Sequence, residues 1–270
     1  MPSLAASGCE LHYQIHDLTA PWIEDKQTIL FHHGLGATSG TWAGWLPTLA
    51  DRLRLVSFDM RGHGRSGHPP ADAQLSLDLL ADDIFKIADA VGADRFHLVG
   101  ESIGGTIALL AALARPERMR TLTISNGAHM GGSIQSIDNW KQLIEGRGMP
   151  GWSEHMMHGR FFDDAISPAM WRWYEREQAA VSPDFVLRAV RLLAGADLSG
   201  RLGALRVPVL LLHGDSSPFI PVVVMADLRT RLPDARLQVF AHAKHGLPFS
   251  HAKACAQTLR GFLDDVDARE

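Results

Sequence analysis

One stretch constrains the fold of this chain more than any other. An apolar, strand-like run from Phe96 to Val99 leads into Gly100-Glu101-Ser102-Ile103-Gly104, and a helical run of small residues follows at once. A Gly-x-Ser-x-Gly pattern between a strand and a helix predicts a nucleophile elbow, a sharp turn that exposes the serine hydroxyl. Its two glycines remove side chains where the strand and helix backbones approach each other. The stretch therefore predicts a nucleophilic serine, and the alternative interpretation is an ordinary serine near a helix cap.

Strand-like and helical segments alternate along most of the chain. Strand-like runs occur at residues 8–16, 28–31, 54–58, 96–99, 122–124, 207–212 and 236–240. Apolar residues recur at helical spacing between Leu77 and Val91. Another helix is expected to begin near Ser39 or Thr41 and to end before Leu53. This alternation predicts an α/β fold with a doubly wound, mainly parallel sheet and helices on both of its faces.

One interval interrupts the alternation. Residues 127–206 contain helical patterns and four tryptophans but no convincing strand. A structureless loop of that length would be unusual in a compact domain, so we expect a helical cap inserted after the sixth strand. The chain then divides into a first core part at 1–126, the cap at 127–206 and a second core part at 207–270. Trp140 and Trp152 of the cap are candidate substrate contacts, and packing within the cap is the simpler role for each.

Composition excludes several classes of function. The formal net charge is −4, so no basic surface for nucleic acid or an anionic membrane is expected, and no apolar run reaches membrane-spanning length. Two cysteines, Cys9 and Cys255, are too few for a disulfide scaffold, and the fourteen histidines show no metal-binding spacing. We therefore expect a cytoplasmic protein that needs no metal or other cofactor and acts on a small molecule. A homodimer is left open.

Several motifs in a fixed order resemble those of the α/β-hydrolase family, in its cap-bearing subgroup of esterases, lactonases, carbon–carbon bond hydrolases and cofactor-free haloperoxidases. His33-Gly34 after the third strand is similar to the family's oxyanion motif, and residues 59–67 are similar to its Asp-x-Arg-Gly-x-Gly-x-Ser turn. Residues 100–104 match the elbow, and His245 lies where the family has its general base. The resemblance extends over residues 28–263 and specifies the fold far better than the substrate.

An elbow serine needs a base and an oxyanion hole. A serine hydroxyl is a poor nucleophile until a histidine within hydrogen-bond reach takes its proton. His245 follows the last strand, at the sheet edge where the elbow opens, and the order of triad residues favours it over its neighbours His242 and His251. The resemblance implies that the backbone N–H groups of Leu35 and Ile103 hold the oxyanion.

The third member of the triad is where the chain departs from the family. The resemblance places the acid at Ser217 or, in the alternative position after the sixth strand, at Asn126, and neither is a carboxylate. Asp215 lies two residues before the usual position and is the nearest carboxylate, so we predict that it orients His245. The alternative is that Asp215 is a turn residue, which would leave a Ser-His dyad assisted by water or by Asn126.

Other residues near the motifs are given binding or structural roles. His32, Asn126 and Phe219 join the two cap tryptophans as candidate substrate contacts, and His32 alternatively braces the oxyanion loop. The turn at residues 59–67 is expected to be buried and structural rather than catalytic.

Taken with the motifs, these assignments predict a serine hydrolase that cleaves a small carboxylic ester or lactone through an acyl-enzyme on Ser102. The overall layout is most similar to the enol-lactone hydrolase and aryl esterase branch of the family. Two alternatives remain open: a carbon–carbon bond hydrolase with the same residues, and a non-catalytic hydrolase-fold protein that binds a ligand. The tryptophans and methionines of the cap favour an apolar or aromatic part in the substrate.

Overall fold

A computed structural model describes residues 2–24, 26–70, 72–135 and 139–269 of the chain. Within those ranges eight strands form one sheet: β1 (Ser3–Ala6), β2 (Cys9–His16), β3 (Thr28–His32), β4 (Arg54–Phe58), β5 (Phe96–Glu101), β6 (Met119–Ser125), β7 (Val209–Gly214) and β8 (Ala235–Phe240). Their order across the sheet is β1-β2-β4-β3-β5-β6-β7-β8. The pairs β1–β2 and β2–β4 are antiparallel, and all pairs from β4 to β8 are parallel. The predicted doubly wound, mainly parallel sheet is confirmed.

The sheet grows in opposite directions from β3. β4 is added on one side of β3 and β5 on the other, and His32 at the end of β3 is in register with Gly100 near the end of β5. A crevice at the carboxyl ends of strands at such a switch point is the usual ligand site of open α/β sheets. The loop after β3 and the turn after β5 carry the predicted oxyanion and nucleophile residues. The strand order therefore brings these residues side by side.

Helices cover both faces of the sheet. Those in the described ranges are α1 (Leu46–Leu49), α2 (Leu77–Ala90), α3 (Ile103–Ala114), α4 (Trp140–Arg160), α5 (Pro168–Ala179), α6 (Pro183–Ala194), α7 (Val222–Arg231), α8 (Leu247–Ser250) and α9 (Ala252–Asp267). Successive residues of a strand point to opposite faces, so Leu30 belongs to the apolar layer that includes α2, α3 and α7, whereas Ile29 and Phe31 belong to the layer that includes α9. The core therefore has two apolar layers with the sheet between them.

The segment before α1 differs from the prediction of a single helix. Ser39–Trp45 is a 3₁₀ helix, and α1 covers only Leu46–Leu49. Residues three apart in a 3₁₀ helix lie on one side of it, and Trp42 and Trp45 both pack on Phe31, with ring centroids 4.9 and 5.8 Å away. Aromatic packing therefore accounts for the tighter helix. The edge strand β1 was also not predicted, because four residues give too short an alternating pattern.

The elbow connects β5 to α3 through Ser102. Its φ of 57° and ψ of −123° lie in a region that residues with a side chain rarely adopt. A Cβ added at Gly100 would lie 2.3 Å from the carbonyl oxygen of Gly104, and one added at Gly104 would lie 2.5 Å from that of His33. The N–H of Ser102 donates to the carbonyl of Ser125 at the end of β6, at 2.8 Å. Close backbone approach therefore requires both glycines of the motif, as the sequence indicates.

The interval predicted as a cap lies between β6 and β7. Its described residues contain α4, α5 and α6, and their only extended pairing is an isolated bridge between Met130 and Asp197. Beside that bridge the N–H of Gly131 donates to the carbonyl of Ala196 at 2.7 Å, so the two ends of this interval are hydrogen-bonded to each other. Non-helical backbone at Gly148 interrupts α4. The predicted domain boundaries stay a prediction. No helix in the described ranges is both long and apolar enough to cross a membrane.

Candidate active site

Ser102 and His245 meet at the carboxyl edge of the sheet. Ser102 is the turn residue between β5 and α3, and His245 lies in the loop between β8 and α8. Nε2 of His245 is 2.9 Å from Oγ of Ser102. The neighbouring histidines point elsewhere: the ring of His242 stacks on that of Phe162, and Nδ1 of His251 contacts Ser250. The structure therefore brings together the nucleophile and the base that the motifs predict.

The other ring nitrogen of His245 meets a hydroxyl and not a carboxylate. Nδ1 is 3.0 Å from Oγ of Ser217, and the N–H of Ile220 donates to the same oxygen at 3.3 Å. We assign the proton to Nδ1, which then donates to Ser217, because Nε2 must be free to accept the proton of Ser102. Ser217 thus lies where the resemblance places the triad acid, and its hydroxyl accepts from Nδ1–H in this tautomer.

Asp215 does not contact His245, contrary to the predicted geometry. Its carboxylate is exposed and accepts hydrogen bonds from the backbone N–H groups of His242 at 3.0 Å and Ala243 at 3.2 Å, and from the hydroxyl of Ser216 at 2.8 Å. Partial burial raises the pKa of Asp215, but these hydrogen bonds outweigh it and lower the pKa overall. Asp215 is only one residue past β7, so its side chain reaches the loop backbone after β8 and stops short of the imidazole.

Asn126 supports the histidine loop from the other side. Its Nδ2 donates to the carbonyl of His245 at 2.8 Å, and its Oδ1 accepts the N–H of Gly214 at the end of β7, at 3.2 Å. The residue is fully buried, with a positive φ of 48°. Asn126 therefore contacts the backbone of His245 and not its ring, and the structure does not place it among the residues that line the cavity described below.

The charge environment of His245 favours the neutral ring. Burial moves the pKa of His245 well below its ordinary value of 6.5, and the positive charge of Arg160 adds to this effect. Among the described residues no carboxylate contacts either ring nitrogen. The neutral imidazole is therefore favoured at neutral and mildly acidic pH, and an imidazolium at this position would lack a negative partner.

The loop after β3 leaves one backbone donor free at the expected oxyanion position. The N–H of Gly34 donates to Oε2 of Glu101 at 2.7 Å, and the N–H of Gly36 donates to Nε2 of His63 at 3.0 Å. Between them, the N–H of Leu35 has no acceptor among the described residues. Ile103 is the first residue of α3, where N–H groups lack a partner within the helix. The geometry thus leaves these two N–H groups open for an oxyanion, as the resemblance implies.

A cavity of about 20 Å³ adjoins Ser102 and His245. Its other lining residues come from the loop after β3, from α3, from the segment between β6 and β7, and from the loop after β7: Leu35, Ile103, Thr106, Ala128, Ile134, Trp140, Met156, Arg160, Leu193, Phe219 and Ile220. The volume is close to that of a single water site. The walls are mostly apolar, and the predicted contacts Trp140 and Phe219 are among them.

Two other predicted substrate contacts do not reach this cavity. His32 is the last residue of β3 and lies in the core, where Nδ1 contacts the carbonyl of His33 at 2.9 Å and burial lowers its pKa to about 3. That contact matches the alternative role of bracing the oxyanion loop. Trp152 is fully buried behind Trp140, with ring centroids 5.7 Å apart. Neither His32 nor Trp152 is among the residues that line the cavity.

In the turn at residues 59–67 the side chains of Asp59, Arg61 and His63 are buried, as predicted. Asp59 accepts the backbone N–H groups of Ser39 at 2.7 Å and Arg65 at 2.9 Å. Arg61 pairs with Asp83 of α2. No group of three or more His, Cys, Asp or Glu side chains within the described ranges is arranged to hold a metal ion.

Two buried charged residues beside the cavity were not predicted as site residues. Arg160, at the end of α4, lines the cavity, and its Nη1 is 3.6 Å from Oε1 of Glu101, the residue before the nucleophile. Oε2 of Glu101 accepts the N–H of Gly34 in the loop after β3. No sequence motif points to Arg160, because its role depends on how the cap docks on the core.

Comparison with known proteins defines the family. A family model described as alpha/beta hydrolase fold matches residues 27–184, more than half of the chain. Together with the sheet order and the elbow, this match shows that the chain belongs to the α/β-hydrolase fold family. The resemblance seen in the sequence motifs is thereby confirmed.

Similar proteins of known name lie within the same family. The chain is 28% identical over 262 residues to "Putative carbamate hydrolase RutD" of Caulobacter sp. (strain K31), covering 94% of this chain and 95% of that protein. It is 28% identical over 254 residues to 2-hydroxymuconate semialdehyde hydrolase of Pseudomonas sp. (strain CF600), covering 89% and 88%. The enol-lactonase from Burkholderia xenovorans LB400 superimposes with a TM-score of 0.87 at 22% identity, covering 97% and 100%, a likeness of fold alone.

Proposed function

We propose that the protein is a serine hydrolase that cleaves a small carboxylic ester or lactone through an acyl-enzyme on Ser102. The observation that carries the proposal is the 2.9 Å contact between Oγ of Ser102 and Nε2 of His245. His245 takes the hydroxyl proton as Oγ attacks the carbonyl carbon, and the N–H groups of Leu35 and Ile103 stabilise the oxyanion. His245 then passes the proton to the leaving alcohol, and water releases the acid by the same route in reverse.

The walls of the cavity support a small, apolar acyl or alcohol group. Trp140 and Phe219 face one another edge-on, with ring centroids 5.8 Å apart, and Phe219 lies edge-on to His245 at 5.0 Å. Because the cavity is close to the size of one water molecule, a bound ester must displace these side chains or place only a small group beneath them. The proposal keeps the expected cytoplasmic location and needs no cofactor.

A carbon–carbon bond hydrolase is the second candidate. The observation that favours it is the similarity to 2-hydroxymuconate semialdehyde hydrolase along most of both chains. The same serine, histidine and backbone donors would act on a ketone carbonyl, with a stabilised carbanion as the leaving group. The two candidates are separated by their substrates. One should turn over p-nitrophenyl esters and small lactones, and the other should turn over β-diketones and vinylogous diketones.

Substitution of the nucleophile tests the proposed function. Purified wild-type protein is expected to hydrolyse p-nitrophenyl acetate and small lactones, and Ser102→Ala is expected to lose at least about a thousandfold in kcat because no hydroxyl remains to form the acyl-enzyme. Far-ultraviolet circular dichroism checks that the variant is folded. Equal turnover by the two proteins would remove Ser102 from the mechanism.

Active-site labelling separates catalysis from ligand binding. A fluorophosphonate is expected to label Ser102 of the wild-type protein covalently, and mass spectrometry locates the adduct. The Ser102→Ala variant is the control and should remain unlabelled. A wild-type protein that binds small esters but forms no adduct would favour the non-catalytic alternative, in which the altered acid position has removed turnover.

A further inference from the structure

The end of α4 is in contact with both halves of the proposed catalytic site. Arg160 is buried, and its Nη2 donates to the carbonyl of Leu35 at 2.5 Å, while its Nε donates to Oε1 of Gln178 at 2.7 Å. The amide of Gln178 in turn donates to the carbonyl and the hydroxyl of Ser153, both at 3.0 Å. A planar guanidinium held at two of its nitrogens has a fixed orientation. The direction of the Leu35 carbonyl is therefore set by the cap.

Leu35 is clamped on both sides by buried groups. On one side Oε2 of Glu101 accepts the N–H of Gly34, and on the other Arg160 donates to the carbonyl of Leu35. The two clamps attract each other, because Nη1 of Arg160 is 3.6 Å from Oε1 of Glu101. The backbone N–H that is free for an oxyanion lies between them. Its own peptide is also held at the carbonyl of Gly34, which accepts the N–H of Ala37 at 3.1 Å, so its direction depends on this turn together with both side chains.

The backbone at the end of α4 also holds the histidine loop. The N–H of Gly246 donates to the carbonyl of Arg160 at 2.9 Å, and Nζ of Lys244 donates to the carbonyl of His158 at 2.7 Å. A Cβ added at Gly246 would lie 2.2 Å from the ring of Phe161, the residue that follows α4. The helix end and the loop that carries His245 are therefore in direct contact.

We propose that Arg160 is a positioning residue that aligns the oxyanion loop with the His245 loop, so that the helical cap completes the catalytic site when it docks on the core. This inference rests on the proposed function. Without Arg160, the carbonyl of Leu35 loses its donor and the neighbouring N–H is free to turn away from the oxyanion. Small misplacements of a catalytic group cost about a hundredfold in rate. Removal of Arg160 should therefore lower kcat, since an oxyanion forms only during the reaction.

A second explanation must be separated from positioning. Arg160 also neutralises Glu101, and removing one partner of a buried ion pair destabilises a protein by leaving the other charge unpaired. Arg160→Met is therefore expected to lower the melting temperature as well as kcat. The double variant Glu101→Gln/Arg160→Met removes both charges and keeps an oxygen for the N–H of Gly34, so it restores the melting temperature whichever explanation holds.

The decisive measurement is kcat of the double variant with p-nitrophenyl acetate. A loss in kcat of about tenfold to a hundredfold, the usual cost of a misplaced catalytic group, together with a wild-type melting temperature supports positioning. A wild-type kcat at a wild-type melting temperature would overturn it. Arg160→Lys keeps the charge but cannot donate to Leu35 and Gln178 together, so kcat should again fall; full activity in that variant also contradicts the proposal.

Two controls complete the test. Arg147→Met removes an exposed arginine from the same helix, where it pairs with Glu154, and should leave kcat unchanged. The acid limb of the kcat/KM profile should move to higher pH in the double variant, because the charge of Arg160 lowers the pKa of His245. This shift reports the loss of the Arg160 charge whichever role the side chain has, so kcat at a wild-type melting temperature remains the deciding measurement. The Ser102→Ala assay reports separately on the proposed function, so the two failures are distinguishable.

Discussion

Ser217 gives this site its chemical character. The hydroxyl holds the ring of His245 at 3.0 Å, as a carboxylate would, but it brings no negative charge to the imidazolium. Burial, and after it the positive charge of Arg160, lowers the pKa of His245 well below 6.5. A ring in this setting is a base over a wide pH range, yet protonating it in the transition state is costly.

We predict that Ser217→Asp increases activity. A carboxylate beside Nδ1 favours the imidazolium, so the pKa of His245 should rise and kcat should increase by at least about tenfold. Since His245 acts in its neutral form, a raised pKa moves the acid limb of kcat/KM to higher pH. Initial rates with p-nitrophenyl acetate from roughly pH 4 to roughly pH 9, a range that extends well below the ordinary pKa of histidine, measure both effects. An unchanged acid limb would show that the new carboxylate does not reach the ring.

Asp215→Asn is the matched control for that variant. Its two carboxylate oxygens accept the backbone N–H groups of His242 and Ala243, one each, and asparagine removes the charge while keeping one of these acceptors. The acid limb should therefore stay where it is in the wild-type protein. A shift toward lower pH would instead give Asp215 the electrostatic role that the sequence suggests and the geometry does not.

The sequence locates some residues of the site and not others, for a physical reason. Ser102 and His245 are found because each follows a strand whose carboxyl end lies at the same edge of the sheet. Whether Asp215 or Ser217 contacts Nδ1 depends on the direction in which each side chain points from the same loop, and the sequence spacing does not give that direction. Arg160 depends on a contact between cap and core 125 residues apart, and no local pattern encodes it.

At the scale of single elements, the elbow is strained. Ser102 has a positive φ and lies between β5 and α3. Gly100 and Gly104 beside it leave no room for a Cβ, because the backbone passes too close to each of them. The pattern of apolar residues predicts many of the elements: helical spacing predicts α2, and a short apolar run predicts β5. It does not predict the 3₁₀ helix at Ser39–Trp45, because packing of that helix's tryptophans on Phe31 decides its period.

We predict that Ser102→Gly is more stable than Ser102→Ala. Both variants lack the hydroxyl, but alanine keeps a Cβ at this unfavourable φ and ψ, whereas glycine relieves the strain. The greater freedom of glycine in the unfolded chain offsets part of the gain, so the net difference in the free energy of unfolding should be about 1 kcal/mol. Urea titrations of the two variants measure it. If Ser102→Ala is equally stable, the elbow stores no strain.

At the scale of the whole molecule, a buried ion pair joins three distant parts of the core. Arg61 of the structural turn makes a two-point contact with Asp83 of α2, at 2.5 and 2.6 Å, and both side chains are almost fully buried. The same guanidinium donates to the carbonyls of Ala6 and Ser7 in the N-terminal hairpin. The turn, the helix and the hairpin are thus held by one cation.

We predict that Asp83→Ala destabilises the protein strongly while Asp82→Ala does not. Removing Asp83 leaves the charge of Arg61 buried without a partner, which should cost about 3–5 kcal/mol in the free energy of unfolding. Asp82 is the adjacent residue of the same helix and makes exposed ion pairs with Lys86 and Arg115, so its loss should cost less than about 1 kcal/mol. Urea denaturation followed by circular dichroism compares the two variants. Similar losses in both would mean that Arg61 finds another partner or water once Asp83 is gone, and that the hairpin does not depend on this pair.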